Sequence, residues 1–388
     1  MEWLPNPKAP NMVQVMSEPR KIVLILGNGF DLDLGLKTSY KDFWETKLCP
    51  KTYPAPLIQH LNNKWPNKDS VKWFDLENEL YNYYSSNCKY SEVKDIITKE
   101  ELAFAKSINL SSWFSGAYNE GSPLYLSLFN KGIIQLQKQC PKVYHIPYKE
   151  DLFLSALERD QKAFELIKVN LCLYIKYVER SVIEKDSFAN RVKIAAEIAA
   201  DYGDFIDVYT FNYTKLECDK CNVYHVHGSC ENDNIIIGTG DSDRIDSNYD
   251  FLYKSFDANY YPPDITSSLN NADEVIFFGH SIGDNDRQYF KQFFKQQASY
   301  TQNSRKRITI FTRDRDSEIE IKRAMQNMTD NNLSTLLSQN TIEYFHTSDP
   351  NYNFEKLKAF FVRFHLTENS AEDVLDCIYK RQRGLSLS

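Results

Sequence analysis

The chain has 388 residues with 46 basic and 53 acidic side chains, a formal charge of −7 and a pI near 5.6. That length accommodates a large α/β core plus an insertion or second domain, and the acidic balance gives no strong nucleic-acid signal, although a local basic groove stays open. No apolar run approaches the roughly 18 residues of a membrane helix, the start Met1-Glu-Trp-Leu-Pro-Asn-Pro7 lacks the pattern of a signal peptide, and eight scattered cysteines fit a reducing interior rather than a disulfide scaffold, so a soluble, cytoplasmic protein is expected.

Residues 1–20 carry Pro5, Pro7 and Pro10 and read as a flexible N-terminal arm. The apolar run Ile22 to Leu26 suits a strand covered on both faces of a parallel sheet. It runs into the turn Gly27-Asn28-Gly29-Phe30-Asp31. The glycines allow a sharp turn and close approach to a ligand, and bare N–H groups there attract phosphate. A full G-x-G-x-x-G fingerprint needs glycine where Leu32 stands, and Gly35 arrives three residues late. By spacing alone the turn is a nucleotide site or an ordinary tight strand–helix turn. From about Tyr40 to Asp204 the texture becomes periodic. Trp73 to Tyr84 and Asp151 to Ser187 both read as helical. In the second, Leu152, Leu154, Leu157, Phe164, Ile167, Leu171, Ile175 and Val178 recur at three- and four-residue steps, predicting one or two amphipathic helices. Residues 46–203 are therefore expected to form a helical insertion, with residues 21–45 and 204–388 building the nucleotide-binding domain.

Strand-like runs return at Phe205–Thr210, Val223–Val226, Asn234–Ile237, Glu274–Phe278, Arg307–Phe311 and Thr341–Phe345. Helix-like stretches lie at Asp286–Gln297 and Ser317–Gln326, and Phe354–Leu366 reads as a closing helix. The alternation predicts an α/β fold: a Rossmann-like, mostly parallel sheet flanked by helices, with the large helical insertion.

Four segments can carry chemistry. In the first turn, Asp31 would repel a phosphate, which leaves it as a helix N-cap, a ribose-hydroxyl acceptor or a loop organiser. In Thr210-Phe-Asn-Tyr-Thr214, at a strand's carboxyl end, Asn212 offers a donor and an acceptor able to orient water or a ribose hydroxyl; an Asn-containing turn is the alternative. In Val223-Tyr-His-Val-His-Gly228, His225 and His227 share one face, and a strand-end histidine suits a general base. Cys218, Cys221, His225, His227 and Cys230 offer a competing zinc set, but a lone C-x-x-C is weak and no metal is expected. Phe278-Gly-His-Ser-Ile-Gly-Asp-Asn-Asp286 spells G-x-S-x-G, a nucleophile elbow with Asp314 and His346 downstream. Its alternative is a nucleotide pocket lined by Ser281, with Asp284 or Asp286 capping the following helix.

In order and spacing, the segments resemble the AbiH family, bacterial proteins named for abortive phage infection. The shared pattern comprises G-N-G-F-D (Gly27 to Asp31), T-S-Y-x-x-F (Thr38 to Phe43), W-x-D-x-E (Trp73 to Glu77), F-N-Y-T (Phe211 to Thr214), H-G (His227, Gly228) and G-H-S-x-x-x-x-D (Gly279 to Asp286). The same order is similar to a reduced sirtuin-like NAD-consuming domain. That resemblance implies phosphate contacts at Gly27 and Gly29, catalytic roles for Asn212 and His227, and nucleotide contacts from Ser281. The nucleotide-binding set is completed by Asn28, Asp31 and Asp286. Asn28 and Phe30 depart from the sirtuin glycine turn, and the double C-x-x-C zinc module is missing, which argues against protein deacylation. The implied function is antiphage defence with binding and hydrolysis of NAD or a related nucleotide. A non-catalytic nucleotide sensor and a serine esterase are the alternatives. Expected partners are the nucleotide and a defence-system partner or phage trigger, with self-association also open and no membrane involved.

Overall fold

The computed structural model describes residues 18–65, 75–85, 154–240, 247–299, 305–349 and 354–382. Trp73, Phe74, residues 86–153 of the expected insertion and residues 1–17 of the expected arm lie outside these. In chain order the elements are β1 (Lys21–Leu26), α1 (Asn28–Asp33), α2 (Tyr40–Trp44), α3 (Pro56–Lys64), α4 (Leu76–Ser85), α5 (Ala156–Val178), α6 (Phe188–Asp201), β2 (Phe205–Thr210) and β3 (Asn222–His225). There follow α7 (Ile265–Asn271), β4 (Glu274–Phe278), α8 (Arg287–Gln297), β5 (Arg307–Thr312), α9 (Arg315–Met328), α10 (Leu333–Gln339), β6 (Thr341–His346), α11 (Phe354–Arg363) and α12 (Glu368–Gln382).

The strands form one sheet in the order β3-β2-β1-β4-β5-β6, and every pairing is parallel. The expected flanked parallel sheet is therefore present. The chain first builds outward from β1 through β2 and β3, then crosses to the other side of β1 and builds outward again from β4. Such a reversal, between β1 and β4 at the carboxyl ends of the strands, is the place where open α/β sheets hold ligands.

Period-two alternation explains why β1 is apolar from Ile22 to Leu26. Ile22, Leu24 and Leu26 join one core with α6, α11 and α12, while Val23 and Ile25 join another beneath α7, α8, α9 and α10. Helix α6 starts where the Ser187 hydroxyl accepts from the Asn190 N–H, and it turns Phe188, Val192, Ala195 and Ala199 towards the sheet. It lies within residues 46–203 but packs on the sheet. A third core belongs to the helices before it: Phe43, Trp44, Leu57, Leu61, Leu80, Phe164, Ile167 and Leu171. Helix α5 is one continuous element, opened by a capping box between Ser155 and Glu158.

Two expected elements differ. Asn234–Ile237 forms no strand; Ile235 and Ile237 enter the helical core instead, so the apolar run is satisfied by burial without a ladder. The helix expected over Phe354–Leu366 is present as α11 but ends at Arg363, because His365 has a φ of 66°, and a further helix, α12, follows it. At the opposite end of the sheet from this reversal site, Arg20 is tied down by the Asp204 carboxylate at 2.5 Å and the Arg363 carbonyl at 2.8 Å. Among the described residues no helix is long and apolar enough to cross a membrane.

Candidate functional site at the sheet reversal

At the reversal two backbones touch. The Gly27 and Gly29 N–H groups donate to the carbonyls of Phe278 and Gly279, each at 2.9 Å, so the turn after β1 is stitched to the end of β4. A Cβ on Gly27 would sit 2.6 Å from the Gly279 oxygen and the His280 Cα, and one on Gly29 would sit 2.6 Å from the Gly279 Cα. Gly279 has φ +61°, and its own Cβ would lie 2.4 Å from the Gly29 Cα. These glycines therefore serve backbone–backbone contact, and the N–H groups of Gly27 and Gly29 are committed to β4 rather than offered to a phosphate. Gly279→Ala combines a left-handed φ with a backbone clash and is expected to destabilise the fold by about 3 kcal/mol. Urea unfolding measures this; a midpoint equal to that of the wild type would contradict it.

The T-S-Y segment supports this turn. Thr38 donates to Asn28 Oδ1 at 2.6 Å, Ser39 caps α2, and the Tyr40 hydroxyl meets that of Tyr213 at 3.0 Å. Asp31 lies inside α1 and is no N-cap; it is a loop organiser, accepting from Asn212 Nδ2 at 3.0 Å and from Thr214 Oγ1 at 2.9 Å. Asn212 Nδ2 also donates to the Gly27 carbonyl at 3.1 Å. Both neighbours of Nδ2 are acceptors, which fixes the amide orientation. Asn212 Oδ1 is left without a partner among the described residues.

Burial pushes the Asp31 carboxyl up from its ordinary 3.8 to about 7, against the opposing hydrogen bonds of Thr214, Thr38 and Asn212. Between those pH values the folded state keeps a proton that the unfolded state has released. Stability therefore falls as pH rises from about 4 to about 7 and levels off above that. The upper limit of this loss is on the order of 4 kcal/mol. Asp31→Asn is expected to remove it, so the melting temperature of the variant should gain on the wild type between pH 5 and pH 8. Parallel profiles would contradict this.

Beside the glycine stitch lies a buried charge cluster. Lys254, only 1% exposed, comes from the β3–β4 connection, where its N–H donates to the Thr239 carbonyl at 3.2 Å. Its ammonium reaches Glu77 Oε2 at 3.0 Å, His227 Nε2 at 3.2 Å and Asp286 Oδ1 at 3.4 Å. His280 Nδ1 accepts from the Ile282 N–H at 2.9 Å, so its proton sits on Nε2, facing Asp286 Oδ2 at 3.4 Å. Asp286 precedes α8 without capping it by its side chain. Burial opposes the Asp286 charge, but Lys254 and the His280 hydrogen bond outweigh it and hold the carboxyl below the usual range. Burial likewise opposes the Lys254 charge, and Glu77 and Asp286 outweigh it, raising the ammonium's pKa. Burial pushes Glu77 up to about 7 despite Lys254. Asp286 is the more firmly ionised of the two carboxylates because it has more donors. His227 is lowered to about 3, first by burial and then by the Lys254 charge, and so is neutral at physiological pH.

The structure thus brings together Gly27, Gly29, Asp31, Asn212, His227 and Asp286. The Phe211 ring links the segments that follow β3 and β4, 5.1 Å from the His227 ring and 4.4 Å from the His280 ring. Asn28 is half-buried beside them and Ser281 is exposed next to His280. The esterase set is dispersed among other partners: Asp314 caps α9 through Ser317, and His346 faces Glu318 at 2.8 Å. The positive φ values fall on Gly279 and Ile282 rather than Ser281, so the serine does not occupy a nucleophile elbow. The zinc candidates are also separately engaged. Cys218 and Cys221 are joined to each other, His225 Nδ1 lies 3.4 Å from the Asn212 carbonyl, and His227 faces Lys254. Sequence reasoning missed Lys254, Glu77 and His280 as members of the site. The W-x-D-x-E and G-H-S patterns contained the last two, whereas Lys254 has no surrounding pattern.

No curated protein and no solved structure matches the chain. The family model described as "Bacteriophage abortive infection AbiH" matches residues 23–311, about three quarters of the 388 residues and all the site residues described above. The chain belongs to the AbiH family.

Proposed function

We propose that this protein serves abortive infection by binding and hydrolysing NAD or a related nucleotide at the β1–β4 reversal. Family membership supports the defence role. The observation that carries the chemical reading is Asn212: both its amide protons are held, and Oδ1 is free to accept from a water or a ribose hydroxyl, while the neutral His227 ring packs on the neighbouring Phe211 ring. In this reading the C1′–N bond to nicotinamide breaks, and its electron pair neutralises the pyridinium nitrogen. Water adds to C1′, and its proton passes by way of His227 to solvent, giving nicotinamide and ADP-ribose. The oxocarbenium-like centre is highly electrophilic, so an oriented water matters more than a strong base. Asn28, Asp31, Ser281 and Asp286 complete the nucleotide's surroundings, and Gly27 and Gly29 support them by holding the turn against the Gly279 backbone.

A sensing role without turnover has its own support, because Lys254 Nζ sits 3.2 Å from His227 Nε2, against the lone pair a base would use. Heating the protein with NAD separates the two. Hydrolysis predicts a raised midpoint, by about 2.7 kcal/mol of stability at a hundredfold excess over Kd, together with free nicotinamide. A sensor gives the raised midpoint alone. Neither effect would eliminate both readings.

A further inference from the structure

We propose that Glu77, carried by helix α4, is a ligand-contacting residue that accepts a hydrogen bond from a ribose hydroxyl of the nucleotide, so that the helical region selects a hydroxylated sugar. The inference rests on the nucleotide reading above. Glu77 is 7% exposed, and its two oxygens differ in their surroundings. Oε2 is paired with Lys254 at 3.0 Å, whereas Oε1 is buried with no hydrogen-bond partner among the described residues. An orphaned carboxylate oxygen is costly, and its cost is removed by a donor arriving with a ligand.

The surroundings specify what that donor is. Asp75, Glu77 and Asp286 place carboxylates around the Lys254 ammonium, and each of the first two is raised first of all by burial. A phosphate brought to Oε1 would add an anion to a site already rich in carboxylates. A hydroxyl group carries the needed donor without that repulsion. The cationic nicotinamide end of NAD also suits an acidic surrounding better than its pyrophosphate does. Lys254 cannot serve Oε1 as well, because His227 and Asp286 already surround its ammonium. Helix α4 is held by Leu76, Leu80 and Tyr83 in the helical core, so Glu77 sits on a packed element rather than a free loop.

The test titrates NAD, and NAD analogues each lacking one ribose hydroxyl, into the full chain and into Glu77→Gln and Glu77→Met. One analogue is expected to bind the wild type about tenfold or more weakly than NAD, as loss of a hydrogen bond to a charged group requires. Glu77→Met should weaken NAD by a similar factor and bind NAD and that analogue equally. Equal binding of all analogues to the wild type would overturn the proposal while leaving the nucleotide reading standing. So would a Glu77 variant that keeps the wild-type discrimination. No binding of NAD to the wild type would overturn both. Should the variants fail to fold, equal binding of all analogues to the unaltered protein still overturns the proposal, and Asn212→Ala, which leaves Glu77 in place, should keep the discrimination that Glu77 provides.

Discussion

Alanine at Asn212 or at His227 is expected to lower nicotinamide release from NAD by about 10²–10⁴-fold, the usual range for losing a positioned catalytic group. The two variants should differ in their side effects. Asn212 also bonds the Gly27 carbonyl and Asp31, so Asn212→Ala leaves a buried carbonyl and a buried carboxyl short of a donor. A stability loss of about 1–3 kcal/mol accompanies it. His227 is neutral, and its removal leaves Lys254 with Glu77 and Asp286. His227→Ala leaves a cavity and one Lys254 proton without its acceptor, a loss of about 1–3 kcal/mol, and should still fold while losing turnover. Wild-type rates in a folded His227→Ala protein would remove His227 from the mechanism and favour the sensing role.

Lys254→Met is expected to destabilise the protein by about 3–5 kcal/mol, the cost of stripping the partner from a buried ion pair. The sign follows from the cluster's imbalance. With Lys254 gone, Asp286 keeps only the histidines as neighbours, while Glu77, whose pKa already lies near 7, takes up a proton. The burden thus falls on Asp286. Adding Asp286→Asn should recover a large part of the loss, since a neutral isostere needs no counter-charge. Urea unfolding of the two single variants and the double variant forms a cycle. Additive losses would mean that Lys254 and Asp286 do not act as a pair.

The fold was legible where side-chain periodicity maps directly onto burial. The uninterrupted apolar run of β1 has the composition of a strand covered on both sides, and the alternation of strands and helices after residue 205 led to the parallel sheet. Asn234–Ile237 misled because a short apolar run satisfies a helical core as well as a ladder. The glycines show a deeper ambiguity. A missing Cβ admits a ligand phosphate or another backbone equally, and only the 2.6 Å approach of Gly279 identifies the second use here. For Asp31 the sequence left a cap, a ribose acceptor and a loop organiser open, and for Asp286 a cap; choosing among such roles needs partners distant in the chain, Asn212 and Thr214 for the first and Lys254 for the second. Lys254 lay beyond reach altogether. It stands in a connection of no regular period, and its importance comes from meeting carboxylates contributed by α4 and by the residue before α8.

The most direct measurement follows NAD incubated with the unaltered protein, with nicotinamide and ADP-ribose resolved chromatographically over time. The account predicts that the two products appear in equal amounts, at a rate proportional to protein concentration. An unchanged NAD pool at micromolar protein over hours would contradict hydrolysis at the β1–β4 reversal.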